Sequence, residues 1–173
     1  MKNTKKIGWL LGAALAVTPL VLPASTTDKP LAERVRHEIV MLSWYSLFDN
    51  ISFQMDGSKV ILTGQVVRPV LKGDAEAVVK RIAGVSEVEN KIEILPPSTR
   101  DDRIRLAEMR AIYHSDGLLY YGQGALPSIH IIVKNGHVSL EGAVSHQSDK
   151  TVAGIAAHMV SGVFSVTNDL QVQ

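Results

Sequence analysis

The sequence predicts an α+β fold class, organised as two tandem small α-β-β-α-β domains, each a three-stranded mixed sheet covered by two helices. The first observation is composition: of 173 residues, 46% are hydrophobic and 20% are charged, which suits a globular protein. The second is an internal repeat, because residues 51–95 align without a gap with residues 129–173. The third is periodicity: in each repeat, alternating hydrophobic residues are followed by hydrophobic residues at helical spacing.

The repeat has one constant offset of 78 residues. It places the motif Val-x-Leu-x-Gly-x-Val at residues 60–66 on the same motif at residues 138–144. A period of this length with only two copies indicates a pair of small domains rather than a solenoid. The Pro-Pro stretch at residues 96–100 predicts a stiff linker between them.

Each element of the first copy has its own signal in the sequence. Pro30 suits the opening turn of a helix that we expect to end near Met41. Two alternating hydrophobic runs on either side of a turn at residues 56–58 predict a β-hairpin. A second helical face precedes Gly84, which fits the left-handed position just past a helix end. A third strand then closes the unit with Val88, Ile92 and Ile94.

The second copy has the same predicted elements, formed by different residues. The Asn135-Gly136 pair is a strong hairpin signal, and Gly162 repeats the expected helix stop. The second helical face recurs at the same offset and comprises Ala153, Ala156, Ala157 and Val160. Agreement in periodicity with few shared identities favours one fold used twice.

Two glycines and two asparagines recur at inward-facing strand positions. Gly64 and Gly142 have the parity of the buried residues in their strands, so we expect a helix backbone to pass close to them. Asn90 and Asn168 also face inward, and we expect each to hydrogen-bond loop backbone inside its core. We interpret these four positions, and the helix-stop glycines Gly84 and Gly162, as structural.

The N-terminus predicts a signal peptide over residues 1–24. Three lysines, at positions 2, 5 and 6, precede an apolar segment at residues 7–17, which is followed by a cleavage region rich in small residues. We expect cleavage near Ala24, and an uncleaved anchor extending to Leu22 is the alternative. Without these lysines the chain has 15 basic and 17 acidic residues, a net charge of −2 instead of +1. The predicted location is the periplasm or cell envelope of a bacterium.

The absence of cysteine excludes several classes of protein and site. They are disulfide scaffolds, thiolate metal sites, cysteine nucleophiles and lipid-anchored lipoproteins. The near-balanced charge argues against a nucleic-acid partner, because such binding needs a concentrated basic surface. The six histidines lack metal-ligand spacing, and neither a nucleophile elbow nor a phosphate loop is present in the sequence. We therefore expect no enzyme activity, no catalytic residues, no cofactor and no metal.

The repeated motifs resemble the BON domain, which is named after bacterial osmotic-stress and nodulation proteins. They are Val-x-Leu-x-Gly-x-Val and, 20 residues after its glycine, Gly-Val-x-x-Val-x-Asn-x-Ile or Leu. The resemblance covers residues 28–95 and 101–173, and it implies a small mixed sheet with two helices on one face. It also implies an exported protein associated with phospholipid membranes and envelope maintenance. The shared motif is structural, so the resemblance brings no catalytic residues.

The two copies differ most in the loop between the first helix and the first strand. This loop is longer in the second copy, where its apolar tip comprises Leu118, Leu119, Tyr120 and Tyr121. The aromatic residues of the equivalent loop in the first copy are Trp44, Tyr45 and Phe48. Aromatic residues on exposed loops suit a bilayer interface or a protein partner. The alternative is that each loop folds over the open end of its own small core.

Arginines gather on the first helix of the second copy. Arg103 and Arg110 are seven residues apart and share one face, with Tyr113 nearby. A basic face beside an apolar loop suits anionic lipid headgroups, at about 1 kcal/mol for each well-placed charge. Three acidic residues are interleaved with the arginines, so the alternative is a solvated face laced with salt bridges.

The resulting functional prediction is a non-enzymatic exported envelope protein that associates with anionic phospholipid or with envelope components. Its predicted contact is the first helix and the long loop of the second copy. The alternative is a protein–protein adapter in the envelope that uses the aromatic loops. A third hypothesis, a small-molecule enzyme, requires a deep polar pocket with titratable groups.

Overall fold

The computed structural model describes residues 30–124 and 127–173, and it contains two copies of one α+β unit. The first copy comprises α1 (Leu31–Val40), β1 (Asn50–Asp56), β2 (Lys59–Val66), α2 (Pro69–Lys80), β3 (Glu87–Asn90) and β4 (Glu93–Ile94). The second comprises α3 (Thr99–Tyr113), a 3-10 helix (Leu119–Gly122), β5 (Ile129–Lys134), β6 (His137–Val144), α4 (Gln147–His158), β7 (Ser165–Asn168) and β8 (Gln171–Val172). The predicted α+β fold class is confirmed. The predicted signal peptide lies outside the described residues.

Each sheet is mixed because its central strand pairs differently on its two sides. β1 is antiparallel to β2, whereas β3 and β4 are both parallel to β2. In the second copy, β5 is antiparallel to β6, and β7 and β8 are parallel to it. Helices α2 and α4 make the crossovers that parallel pairing requires.

Each copy has a hydrophobic core between its sheet and its two helices. The first core includes Val35, Ile39, Val60, Leu62, Leu71 and Val79. The second core includes Ile104, Ile112, Ile131, Leu140, Ala157 and Leu170. All of these residues lie between positions 35 and 170, so a chain that begins at residue 25 contains both cores whole.

Gly64 and Gly142 are required by the backbone of a neighbouring segment. Gly64 has a φ of +111°, and a Cβ there would lie 2.0 Å from the carbonyl oxygen of Asn50 on β1. Gly142 has a φ of +108°, and a Cβ there would lie 2.1 Å from the carbonyl oxygen of Ser128, just before β5. The close approach therefore involves the first strand of each hairpin, and not a helix as strand parity suggested.

Asn90 and Asn168 tie the third strand of each copy to the second helix. Nδ2 of Asn90 donates to the carbonyl oxygen of Lys72 on α2 at 2.8 Å, and its Oδ1 accepts from the N–H of Ile92 at 3.1 Å. Nδ2 of Asn168 likewise donates to the carbonyl oxygen of Lys150 on α4 at 2.7 Å. The partner is helix backbone, whereas the sequence suggested loop backbone. Because each asparagine also binds an N–H two residues on, the third strand is split into two short strands.

The glycines expected just past the second helices lie one turn farther along the chain. Helix α2 ends at Lys80, and Gly84, with a φ of +98°, belongs to a turn in which the N–H of Val85 donates to the carbonyl of Ile82. Gly162, with a φ of +91°, stands four residues after the end of α4. The left-handed conformation is present, but it serves the turn rather than the helix cap.

Helix α3 begins inside the stretch that the sequence assigned to the linker. Oγ of Ser98 accepts from the N–H of Asp101 at 3.2 Å, so the serine caps the helix. On the other side, the N–H of Leu95 donates to the carbonyl of Val66 at 2.8 Å, and Leu95 is buried. The segment between β4 and α3 is therefore only residues 95–98.

The α1–β1 loop of the first copy packs onto the second copy. The carbonyl of Leu47 accepts from the N–H of Ile131 on β5 at 2.7 Å, and Leu47 and Phe48 pack against the second core. Tyr45 packs against the first core, with its ring centroid 5.7 Å from that of His130. The alternative that each loop covers its own core therefore holds for Tyr45 but not for Leu47 and Phe48.

Candidate functional site

Helix α3 carries the arginines of the predicted contact, and its first turn fixes it to the β5–β6 hairpin. Asp101 lies in that turn, where the helix dipole favours a negative charge. Its buried carboxylate accepts from the N–H of Asn135 at 2.8 Å and from the N–H of Gly136 at 2.9 Å. These bonds orient the rest of α3 across the second sheet.

The two other acidic residues of α3 differ in burial. Glu108 is fully buried. Asp102 is exposed, but its Oδ1 pairs with Nη1 of Arg105 at 2.6 Å. Of the three interleaved acidic residues, two are therefore buried, and Asp102 remains exposed and paired on the face that carries Arg103 and Arg110.

Exposed apolar residues adjoin this basic face. Leu106 lies on α3 between the two arginines and is 44% exposed. Arg68, which precedes α2, stacks over the ring of Trp44 at 4.9 Å, and Trp44 is 67% exposed. On the long loop of the second copy, Leu119 is 59% exposed. We call the following six residues the α3 surface: Trp44, Arg68, Arg103, Leu106, Arg110 and Leu119.

Two shallow grooves are lined by three of these residues, namely Arg68, Leu106 and Leu119. One groove, of about 210 Å³, is lined by Arg68 of the first copy and Leu106 of α3, among others. The other, of about 220 Å³, is lined by Leu47, Met109 and Leu119, among others. Leu106 and Met109 are neighbours at i and i+3 on α3, so the two grooves lie side by side. The α3 surface therefore draws on both copies, and the exposed Asp102 lies beside Leu106 in the first groove.

The long loop of the second copy folds back onto its own domain. Leu118 and Tyr121 are buried, and the hydroxyl of Tyr121 donates to Oδ2 of Asp149 at 2.6 Å. This corrects the predicted contact, since neither side chain reaches the surface. The 3-10 helix turns successive side chains to different sides, so Leu119 and Tyr120 remain exposed.

Of three more aromatic residues of the predicted contact, Tyr113 is buried, whereas Tyr45 and Phe48 are partly buried. The hydroxyl of Tyr113 donates to the carbonyl of Ile129 at 2.7 Å, and burial raises the pKa of Tyr113 to about 12. The hydroxyl of Tyr45 accepts from the N–H of Ile51 at 3.1 Å, and burial raises the pKa of Tyr45 as well. Phe48 packs on the second core. These contacts tie the α1–β1 loop and β5 to the two cores.

Sequence reasoning missed three residues that shape this site. Glu108 falls on the apolar stripe of α3, four residues from both Ile104 and Ile112, which is a signal that helical periodicity offered. Its carboxyl oxygens have no hydrogen-bond partner among the described residues, and burial raises its pKa to about 8. Leu106 lies between the two arginines on the helix and was also detectable by spacing. Arg68 had no such signal, because its contact with the α1–β1 loop depends on tertiary packing.

The α3 surface presents guanidinium donors beside apolar side chains, and such groups bind a ligand or a partner rather than catalyse a reaction. In residues 30–124 and 127–173, no group of three or more histidine and carboxylate side chains is placed to hold a metal ion. Within the same ranges, no helix combines the length and apolar character needed to cross a membrane.

Comparison with known families identifies both copies. The family model described as the BON domain matches residues 27–96 and 118–173. The chain belongs to the BON-domain family. The two matched segments contain the sheets and second helices of both copies. Helix α3 lies between the two segments, and it carries three of the six residues of the α3 surface. The BON domain suggests a non-enzymatic, envelope-associated protein.

Solved structures give weaker likenesses. One is CdsD, a structural protein of the type III secretion system of Chlamydia trachomatis, with 11% identity over 83% of this chain and 92% of that chain and a TM-score of 0.33. Another is the C-terminal domain of CdsD from the same organism, with 11% identity over 87% of this chain and 100% of that chain and a TM-score of 0.31. No protein with a curated description shows significant sequence similarity to this chain.

Proposed function

We propose that this BON-domain protein is a non-enzymatic envelope protein that lies on anionic phospholipid membrane through the α3 surface. In this role it would contribute to envelope maintenance in the bacterial periplasm. The observation that carries the proposal is the arrangement of Arg103 and Arg110 around the exposed Leu106, with the acidic residues of the helix turned inward or paired.

The chemistry of the α3 surface matches an interfacial site. Exposed arginines attract anionic headgroups, at about 1 kcal/mol for each charge held near the surface. Apolar side chains such as Trp44 and Leu119 enter the boundary between headgroups and acyl chains, where tryptophan is enriched. These residues come from both copies, which are joined by the contacts of Leu47 and Phe48 with the second core.

The alternative is an adapter that binds another envelope protein at the same surface. The groove lined by Leu47, Met109 and Leu119 favours it, because an opening of about 220 Å³ accepts an apolar side chain of a partner. The two functions predict different responses to lipid charge and to salt.

Vesicle co-sedimentation tests the proposal, with a chain that begins at residue 25 so that the apolar segment at residues 7–17 is absent. We expect binding to vesicles that contain phosphatidylglycerol, weaker binding to phosphatidylcholine alone, and loss of binding as salt screens the charges. Arg103→Gln with Arg110→Gln, and separately Leu119→Ser, should each reduce the bound fraction. Met159→Ser is the matched control, since Met159 is an exposed apolar residue just after α4 and outside the α3 surface.

Absence of binding to anionic vesicles at low salt would contradict membrane association. Co-purification of an envelope protein that is lost in Leu119→Ser, but unaffected by added vesicles, would instead support the adapter.

A further inference from the structure

Strand β1 is an edge strand, and the direction of its main-chain groups is fixed by its hairpin. Asp56 and Lys59 close the two-residue turn, so the even-numbered residues of β1 exchange hydrogen bonds with β2. The odd-numbered residues therefore point their N–H and C=O groups away from β2. The bond from the N–H of Ile51 to the hydroxyl of Tyr45 has this outward direction.

The equivalent edge of the second copy, on β5, is closed. A hydroxyl donates to the carbonyl of Ile129 at 2.7 Å, a main-chain carbonyl accepts from Ile131 at 2.7 Å, and a guanidinium donates to the carbonyl of Val133 at 2.6 Å. The three partner groups belong to Tyr113, Leu47 and Arg105. Side chains of α3 and a main-chain segment of the first copy together cover this edge.

Strand β1 has no such cover beyond Ile51. No described residue hydrogen-bonds the outward N–H or C=O of Phe53 or Met55. Natural edge strands are usually protected by charged side chains, proline or a bulge, and residues 51–55 contain no charge and no proline. Four main-chain groups are therefore free to pair with an added strand.

This edge forms one wall of a groove of about 380 Å³ between the two copies. The first copy contributes residues 50–53 and Arg36, and the second copy contributes residues of its open sheet face that include Glu141, Asp169 and Gln171. Ligand sites occur preferentially at such domain interfaces.

The wall on the second copy carries two carboxylates, and Arg36 on the opposite wall holds its guanidinium over the ring of Phe53, 5.8 Å from the centroid, instead of pairing with either of them. Neither Glu141 nor Asp169 has an ion-pair partner among the described residues. Burial and the neighbouring Asp169 raise the pKa of Glu141. His130, also in this wall, is only 8% exposed, and its Nδ1 has no hydrogen-bond partner within the described ranges.

We propose that this groove binds an extended, basic peptide segment of a partner protein, which adds to β1 as a further strand. Main-chain bonds to Phe53 and Met55 hold the segment, and a lysine or arginine side chain reaches Glu141 and Asp169. The closed edge of β5 shows the same kind of contact, because a main-chain carbonyl of Leu47 already binds there. The groove is separate from the α3 surface, so the proposal goes beyond the membrane contact.

The test uses the chain from residue 25 onward, isotope-labelled for amide NMR, and three short blocked peptides. The first alternates lysine and valine, the second replaces lysine with glutamate, and the third is the lysine peptide with alternate main-chain nitrogens methylated. We expect the lysine peptide to shift the amide signals of Phe53 and Met55 and to slow their exchange with solvent. The amide of Ile131, already bonded, should not change.

Affinity separates strand addition from simple charge attraction. We expect the glutamate and methylated peptides to bind about tenfold more weakly than the lysine peptide. The double variant Glu141→Gln with Asp169→Asn should weaken the lysine peptide by about tenfold and leave the circular dichroism spectrum unchanged. The matched control is Glu33→Gln with Asp116→Asn, which removes the same charge at exposed positions that do not line the groove.

Equal binding of the methylated peptide, signal shifts confined to the α3 surface, or unchanged affinity of the double variant would each overturn the proposal. Protection of the Phe53 and Met55 amides by protein concentration alone would also overturn it, because the occupant of the edge would then be a second copy of this chain. Loss of vesicle binding has no bearing on these readouts, so the two proposals fail independently.

Discussion

The two copies share one strand register but differ in what lies beneath their first helix. Helix α1 buries two apolar residues, Val35 and Ile39, against its sheet. Helix α3 also buries apolar side chains, but it adds three charged residues, namely Asp101, Arg105 and Glu108. Asp101 binds the β5–β6 hairpin and Arg105 binds the edge of β5, so Asp102 is the one carboxylate on the exposed side of α3. The comparison teaches that the repeated frame is the hairpin, second helix and third strand, whereas the first helix is where the copies diverge.

The largest effect should come from the feature that the copies share most closely. Gly64→Ala and Gly142→Ala each place a Cβ about 2 Å from a carbonyl oxygen at a positive φ, so strand pairing must open. We expect each to lower the free energy of unfolding by about 3 kcal/mol or more. Urea unfolding followed by circular dichroism measures the loss.

Gly73→Ala provides the control for this comparison. Gly73 lies inside α2, and a Cβ added there would have no neighbouring atom within 4 Å, so alanine should stabilise the protein by up to about 1 kcal/mol. A loss in Gly142→Ala no larger than that of an ordinary surface substitution would refute the close-approach explanation.

The shared frame was readily predicted from sequence, for a physical reason. Glycine and asparagine at Gly64 and Asn90 are rare at inward strand positions, so their recurrence at one offset identified the register and the fold. The neighbour of Gly64 was not predictable, because parity reports which face a residue occupies and not its φ. The buried Leu118 and the exposed Leu119 were likewise indistinguishable by residue type. Contacts such as Leu47 with Ile131 join distant segments, and local periodicity carries no information about them.

The next effect should appear in the second copy alone. Asp101→Ala leaves the N–H groups of Asn135 and Gly136 without their carboxylate and removes a favourable charge from the first turn of α3. We expect a loss of about 2–3 kcal/mol in the free energy of unfolding. Hydrogen exchange should show faster opening of β5 and β6 with β1 and β2 unchanged.

Asp102→Ala is the matched control, since this carboxylate lies in the same helical turn but is exposed. The buried Arg105 with which it pairs keeps its bond to the carbonyl of Val133, so we expect a smaller loss than in Asp101→Ala. Equal losses in the two variants would mean that helix charge, and not the hairpin bonds of Asp101, stabilises this region.

A smaller and pH-dependent effect should follow from Glu108→Gln. In the folded protein burial raises the pKa of Glu108 from 4.5 to about 8, so folding at neutral pH requires a proton that the unfolded chain does not hold. Below about pH 4.5 the carboxyl is protonated in both the folded and the unfolded states, so its burial does not lower the free energy of unfolding. As pH rises from there towards 8, the unfolded chain loses the proton first and the free energy of unfolding falls. Glutamine has no such cost, so we expect a gain of about 2 kcal/mol at pH 7 that vanishes below about pH 4.5.

Thermal unfolding across this pH range measures the gain, with Glu33→Gln on the exposed face of α1 as the control. A gain independent of pH would show that the carboxyl of Glu108 does not titrate between the two states.

The smallest effect should come from the ion pair that joins the copies at their surface. Lys134 on β5 contacts Glu93 on β4, and both side chains are more than 40% exposed. Solvent screens such pairs, so a double-mutant cycle of Lys134→Ala and Glu93→Ala should give a coupling of about 0.5 kcal/mol or less.

Phe48→Ala is the comparison for this pair. We expect it to lower the free energy of unfolding by about 2 kcal/mol or more, because that side chain packs against the second core from the first copy. A coupling larger than the loss in Phe48→Ala would show that the two copies are held together mainly by charge. The packing of the α1–β1 loop on the second core would then contribute little to the contact between them.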